Sequence, residues 1–471
     1  MNDLKTRTLV RLALGTIGIL SLAGYALDTR DLLDEETNAF THHVIVFTAL
    51  FVLYLTATWL TLLRGGHDRV VLGLVLGFGL LFRGAVLPTP VVLSSDVYRF
   101  LWDGRVQRAG ISPYRHPPAA SELAHLRDDI IYPNINRPTK PTVYPPGTQL
   151  LFAAVTTVVP DSLLGWRLFL FGCEIATGVL LLRLLRRMGQ PLGTVIVYAW
   201  APLAVFEGVQ AGHVEPALLP LVLLALLWRQ EGRMAMAGAT VGAAVLLKLY
   251  PAALALAWWR RGDWRFPVAC LGVLAAGYLP YAAPVGFQVL GFLPEYFSSA
   301  EDFNVGLRWF LTEGVGLGGD SVAGEVARGI VMLLLFGLLG HVLLRIRRRL
   351  REGADGIFAA GFAAVAAWLL LAPTALHAWY VIWMLPFLAV GPSAAWMWLT
   401  GAVALSYLKY AGSDLPLWAR VVEFVPLYVL LIWEWRRRAP TGAAAVPMDE
   451  RASHRADSHL PAAAAPSRGP R

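Results

Sequence analysis

Apolar runs of about 20 residues recur along this chain from Leu9 to Trp435, each long enough to cross a hydrocarbon layer of roughly 30 Å. Fourteen can be marked, the first at residues 9–27 and the last at 417–435. Backbone placed in lipid must satisfy its own hydrogen bonds, and runs of this length do so as helices. The expectation is an all-α polytopic membrane protein with about 12–14 transmembrane helices. Composition supports this and excludes an ordinary soluble enzyme. Of 471 residues, 56% are hydrophobic and 15% charged, against about a quarter charged in soluble domains.

A net charge of +8 would suit a nucleic-acid binder if the basic residues lined a groove. They cluster instead where apolar runs end: at Lys5, Arg7 and Arg11, at Arg183, Arg186 and Arg187, at Arg260, Arg261 and Arg265, and at 345–351 and 436–438. This is the bias that marks cytoplasmic ends of membrane helices, and no nucleic-acid partner is expected. It places 28–41, 88–146, 284–325, 373–377 and 412–416 outside, with both termini in the cytoplasm. The first run reads as a retained anchor because further spans follow it. Cys173 and Cys270 both fall in apolar runs, which leaves no disulfide framework. Residues 1–438 read as one membrane-embedded domain. Residues 439–471, rich in Ala, Pro, Ser and charge, read as a disordered cytoplasmic tail.

Two runs break the pattern. Residues 147–159 are short and begin at Tyr144-Pro145-Pro146-Gly147, which predicts a short or re-entrant helix. Residues 234–259 hold Lys248 and Pro251 near the middle, which predicts two short helices turning at 247–251.

The largest hydrophilic interruption, 88–146, holds the densest chemistry. Ser94 or Ser95 can cap a helix that starts near Asp96, and Gly110 can end it. A spacing of seven places Asp96 and Asp103 on one helix face, with Arg99 between them. An aspartate at a helix start near the membrane surface can take a proton; the same pattern also suits an interfacial helix with salt bridges. A second cluster, Glu207 to Glu215 with His213, brings two carboxylates and a His within nine residues. It could bind a metal or a sugar hydroxyl, or be a polar turn. Lysine is confined to Lys5, Lys140, Lys248 and Lys409, and an ionisable group in an apolar run is by default functional. Lys248, beside Tyr250, could meet a lipid phosphate or snorkel to the interface. His377, Trp379 and Tyr380 together could stack on a sugar ring. The stretch 296–309, with Glu301, Asp302, Asn304 and Arg308, reads as a surface helix on the same side.

The run 96–107, then Gly110 to Tyr114, Tyr144-Pro145-Pro146, Glu207 to Glu215, Lys248 to Pro251 and His377 to Tyr380 resemble the GT-C superfamily of integral-membrane glycosyltransferases. Within it, the chain resembles bacterial polyprenol-phosphate-mannose-dependent mannosyltransferases over about residues 90–390. The resemblance implies a GT-C-like fold with its large first catalytic loop on the periplasmic side. It also implies inverting transfer of a hexose, mannose above all, from a polyprenyl-phosphate carrier to a glycan or glycolipid acceptor, in a bacterial inner membrane. It points to Asp96 as general base. With the clusters above, the candidate substrate-binding set is Tyr98, Arg99, Asp103, Arg105, Tyr144, Glu207, His213, Glu215, Lys248, Tyr250, His377, Trp379 and Tyr380. Lys248 is the expected phosphate ligand, helped by Arg105, His213 or His377. The sequence requires no cofactor, and a divalent metal is compatible with the acids without being demanded by them. The competing reading is a transporter or flippase of a lipid-linked sugar. Such proteins place ionisable groups near the bilayer midplane, whereas here the polar groups gather at one boundary.

Overall fold

The computed structural model describes residues 2–31, 38–298, 303–304, 306–315, 322–412 and 414–438. The expected tail, and Glu301 and Asp302 of the expected surface helix, lie outside these residues. Among the described residues the chain is mainly helical, with no strand. Seven helices are long and apolar enough to cross a membrane: Lys5–Asp31, Ala39–Gly65, Arg69–Val86, Leu163–Arg187, Arg265–Tyr296, Val322–Arg348 and Ala354–Leu371. The pair Leu192–Ala199 and Ala204–Gln210, bent by 61°, makes an eighth if counted as one span. The protein is an all-α, multi-pass membrane protein.

Among the described residues fewer whole helices qualify than the 12–14 spans that the fourteen apolar runs suggested, because several runs are broken. The run 234–259 forms two helices, Met234–Val245 and Pro251–Trp258, with Lys248 in the turn between them. Proline has no N–H to donate and restricts the residue before it, so Pro251 starts a helix readily but cannot sit inside one cheaply. The run 147–159 is the 13-residue helix Pro146–Val158. The run 376–391 becomes a 3₁₀ turn, Ala378–Met384, followed by Leu385–Val390. The run 394–411 divides into Ala394–Ala402, Val403–Tyr407 and Leu408–Ala411. Irregular backbone at membrane depth is tolerated where it is buried in protein or lines a cavity. Here it does line one.

Three close approaches set that cavity's frame. The helix Asp96–Arg108 crosses Pro146–Val158 at Gly104, where a Cβ would overlap Thr156 and the Phe152 carbonyl. Phe100 stacks on Phe152 at 4.7 Å beside it, with Trp166 at 5.5 Å from each. At the start of Pro146–Val158, a Cβ on Gly147 would meet Leu246 Cβ at 2.7 Å. Thr148 Oγ1 donates to the Leu247 carbonyl at 2.6 Å, which ties this helix to the turn carrying Lys248. At the rim, the Phe292 N–H donates to Thr142 O at 3.0 Å. A Cβ on Gly291 would overlap that same oxygen, and its φ of +55° already favours glycine. Buried Arg167 donates to Leu87 O, Thr89 O and Gln210 O, clamping the approach to Ser94 against the bent segment.

Candidate active site

A cavity of about 540 Å³ opens at the point where the broken helices meet the 88–146 segment. Its walls come mainly from residues 92–99, 136–145, 248–250, 292–296, 372–383 and 406–410. The helix that presents Asp96 to it starts where the sequence placed it, and Gly110, at φ +77°, follows its end. Ser95 occupies the cap position without a side-chain bond. It is Ser94 Oγ that accepts from the Asp96 N–H, at 3.4 Å.

Asp96 lines the cavity with neutral donors on its carboxylate. Asn136 Nδ2 donates to Oδ1 at 2.5 Å, and Tyr144 OH donates to Oδ2 at 3.3 Å. Burial, with the nearby Asp96 and Glu215 charges, pushes the Tyr144 phenol well above its ordinary range, so it stays protonated and able to donate. His213 Nδ1 lies 3.9 Å from Asp96 Oδ2. Arg99, expected between the two aspartates, turns away from Asp96. Its Nε donates to Asp103 Oδ1 at 2.8 Å and its Nη1 to Lys140 O at 3.1 Å. Gln149 holds the other Asp103 oxygen at 2.8 Å. Arg99 is 5% exposed and lines the cavity, and its Nη2 is buried with no hydrogen-bond partner.

Two other cations on the wall are paired, and a third, Arg137, lies over the Phe292 ring at 5.5 Å. Lys248 Nζ sits 3.0 Å from Glu215 Oε1 and over the Tyr380 and Tyr144 rings, at 5.1 and 5.9 Å. Lys140 Nζ meets Glu295 Oε1 at 2.5 Å. The facing wall is aromatic. Trp379 lies between His213 at 3.8 Å and His377 at 4.3 Å, the three rings nearly parallel. Trp383 is sandwiched in the same way between Tyr250 at 3.8 Å and Tyr380 at 4.9 Å. Burial drives the His377 imidazole down to about 3, against the opposing pull of Asp96, so it is neutral near pH 7.

The structure therefore brings Asp96, Arg99, Tyr144, Lys248, Tyr250, His377, Trp379 and Tyr380 to one cavity wall. Asp103, Glu207, His213 and Glu215 stand behind it, almost wholly buried, as partners of residues in front. Two expected residues lie elsewhere. Tyr98 is outside the lining, and Arg105 points to Asp128 at 2.7 Å and Asp161 at 3.3 Å, so it braces the 88–146 segment. Arg105 reaches these acids because they fold back beside the helix C-terminus, a tertiary contact that spacing does not encode. The sequence reading missed Asn136, Lys140, Trp383 and Tyr407. A signal existed for Trp383. It follows Tyr380 by three residues, and in a 3₁₀ turn residues at that spacing lie above one another. Among the described residues, no group of three or more His, Cys, Asp or Glu side chains is arranged to hold a metal ion.

The fold and the site define a multi-pass helical membrane protein with a cavity walled by a carboxylate, cations and stacked aromatic rings, a lining suited to a polar, sugar-like substrate. Residues 8–260, more than half the chain, match the family described as Alpha-(1->6)-mannopyranosyltransferase, N-terminal domain, and the chain belongs to that family of GT-C-type mannosyltransferases. It is accordingly a glycosyltransferase of the mannosyl-transfer kind, acting between a sugar donor and a glycan acceptor. No curated protein matches it.

Proposed function

We propose that this protein moves a mannosyl group from a polyprenyl-phosphate carrier to a hydroxyl of a glycan or glycolipid acceptor. The reaction runs with inversion on the periplasmic face of the inner membrane, and Asp96 is the general base. The observation that carries this reading is the setting of Asp96, which faces the cavity, is held in place by neutral donors, and has Arg99, one turn along its helix, committed to Asp103. A carboxylate so placed keeps lone-pair capacity for a substrate proton.

The acceptor oxygen attacks the anomeric carbon from the face opposite the carrier. Its proton passes to Asp96 as the new bond forms, and the carrier phosphate leaves with the bonding pair. Phosphate needs no protonating acid to leave, but its charge must be met. Arg99 Nη2, with a donor to spare, is the first candidate for that role. Lys248 is the second, its charge already shared with Glu215. The Tyr250–Trp383–Tyr380 stack offers a surface for a sugar ring or the first isoprene units. Arginine clusters at the opposite helix ends support the periplasmic assignment.

The test is turnover of purified Asp96→Asn with a synthetic polyprenyl-phosphate-mannose donor. We expect kcat to fall by at least about 10². Asp103→Asn, which acts through Arg99, should raise the donor KM instead. Near-normal turnover of a folded Asp96→Asn protein would put the base elsewhere. For orientation, a cysteine at exposed Ser121 should react with an impermeant maleimide in intact cells; labelling only after lysis would reverse the assignment.

A further inference from the structure

Each turnover leaves a proton on Asp96, and while substrates or products fill the cavity that side offers it no easy exit. Behind the wall, a line of titratable side chains runs in the other direction. His213 Nδ1 faces Asp96 Oδ2 at 3.9 Å, and its Nε2 faces Glu207 Oε2 at 3.4 Å. Tyr407 OH donates to Glu207 Oε1 at 2.7 Å. The Tyr407 ring meets the His43 ring edge-on, with centroids 5.5 Å apart. His43 Nδ1 lies 3.7 Å from Asp28 Oδ1, and that oxygen lies 3.9 Å from His42 Nε2. His42 Nε2 is in turn 3.5 Å from Asp31 Oδ2, whose side chain is 42% exposed. Gln210, three residues beyond Glu207, joins the two halves by donating to Asp28 Oδ2 at 3.2 Å.

Asp28, His43 and Glu207 are fully buried, and burying ionisable groups is costly in a membrane protein. Most buried polar groups in folded proteins are hydrogen-bonded, so a run of unfilled ones along a single line stands out. Here Asp28 Oδ1, both His43 nitrogens, His42 Nε2, Glu207 Oε2 and His213 Nε2 have no hydrogen-bond partner. Apart from the Tyr407–His43 step, which is a ring-edge contact, these groups approach within 4 Å of one another, a spacing that suits passing a proton through a small side-chain swing or one inserted water. Other titratable groups face this line: Tyr144 on Asp96, Tyr25 near Asp28, Tyr410 beside Tyr407, His377 stacked across Trp379, and the Lys248–Glu215 pair.

We infer that these side chains form a proton path from Asp96, through His213, Glu207, Tyr407, His43, Asp28 and His42, to solvent at Asp31. The inference rests on Asp96 being the base proposed above. Each hop breaks one O–H or N–H bond and forms another. One proton enters from the acceptor hydroxyl, one leaves at Asp31, and no electrons are exchanged.

The experiment compares His43→Phe and His213→Gln with wild type in the purified full-length chain. The probes are a short-chain synthetic polyprenyl-phosphate-mannose and octyl α-mannoside, assayed in H₂O and in D₂O. His43 touches no cavity surface, yet His43→Phe should lower kcat by about tenfold, and His213→Gln by about 10². Both should enlarge the solvent isotope effect on kcat and leave both KM values within about twofold, a split that loose packing would not give. A folded His43→Phe or His213→Gln protein with wild-type kcat and isotope effect would overturn the path. If His43→Phe does not fold, Asp31→Asn combined with His42→Gln, at the solvent end, is read by the same criteria. An inactive Asp96→Asn beside unaffected path variants would sink this inference alone, whereas an active Asp96→Asn would sink the base assignment beneath it.

Discussion

Two buried arginine–carboxylate pairs differ in how far their donors are used. Arg83 and Glu174 join two long helices. Arg83 Nε and Nη2 donate to Glu174 Oε2 at 2.8 and 2.6 Å, and Nη1 donates to Gly79 O at 3.0 Å and Ala199 O at 2.7 Å. Every nitrogen is used. Arg99 and Asp103 are as deeply buried and as closely paired, at 2.8 Å, yet Arg99 Nη2 has no partner and the residue lines the cavity. Chemistry and burial are alike; the leftover donor differs. A guanidinium with every nitrogen bonded is a rivet, while one held rigid with a whole nitrogen unbonded has the makings of a preorganised anion site.

This contrast is open to direct attack. The largest effect should come from Arg83→Met alone. It strands Glu174 in the interior, and losing one partner of a buried pair costs about 3–5 kcal/mol. Little folded protein should be recovered by size-exclusion chromatography. The double change Arg83→Met/Glu174→Leu should recover it with kcat per folded molecule unchanged. If the double variant is folded but dead, Arg83 is no mere rivet. Next, Arg99→Gln should fold and raise the donor KM by about 10- to 100-fold, the scale of a charge-assisted hydrogen bond to phosphate. Failure of Arg99→Gln to fold would erase the distinction between the pairs. Lys248→Ala should raise the donor KM only a few-fold, since Glu215 already holds part of its charge. A larger rise than for Arg99→Gln would reverse their ranking.

The smallest effect concerns the brace on the 88–146 segment. Burial raises the Asp128 carboxyl, but bonds from Arg105 and from the Tyr132 and Ile131 N–H groups outweigh this and hold it down, at about 2. A carboxyl lowered on folding stabilises the fold above its unfolded value, near 3.8, and loses that contribution as pH falls through the folded one. The Arg105–Asp128 contact should thus be intact at neutral pH and fade between about pH 4 and pH 2. Asp128→Asn should flatten the decline of Tm over that window. Identical slopes would show that the brace is not felt.

What the sequence disclosed and what it hid follow from range. Ser94, Asp96 and Gly110 mark a helix by local rules, and Pro251 marks a break, so both were legible. The Arg99 choice was not. Its spacing to Asp96 and to Asp103 is nearly equivalent on a helix, and Gln149 from another segment fixes Asp103 so that the i, i+4 pair prevails. Arg105 looked like a substrate ligand only because Asp128 and Asp161, its actual partners, are brought near by folding. Asn136 gave no local sign, since it depends on a loop returning 40 residues later to meet Asp96.

Gly291 bears on how relatives of this chain can diverge. Its backbone sits against Thr142 O and turns through a positive φ, so the stretch after Val285 meets the 88–146 segment with no room for a side chain. Lineages that keep this rim are confined to glycine there, although the residue carries no chemistry. Mutational tolerance across the family should therefore dip sharply at this silent position, as it does at a base. Where glycine has been lost, the two segments should have parted at this rim.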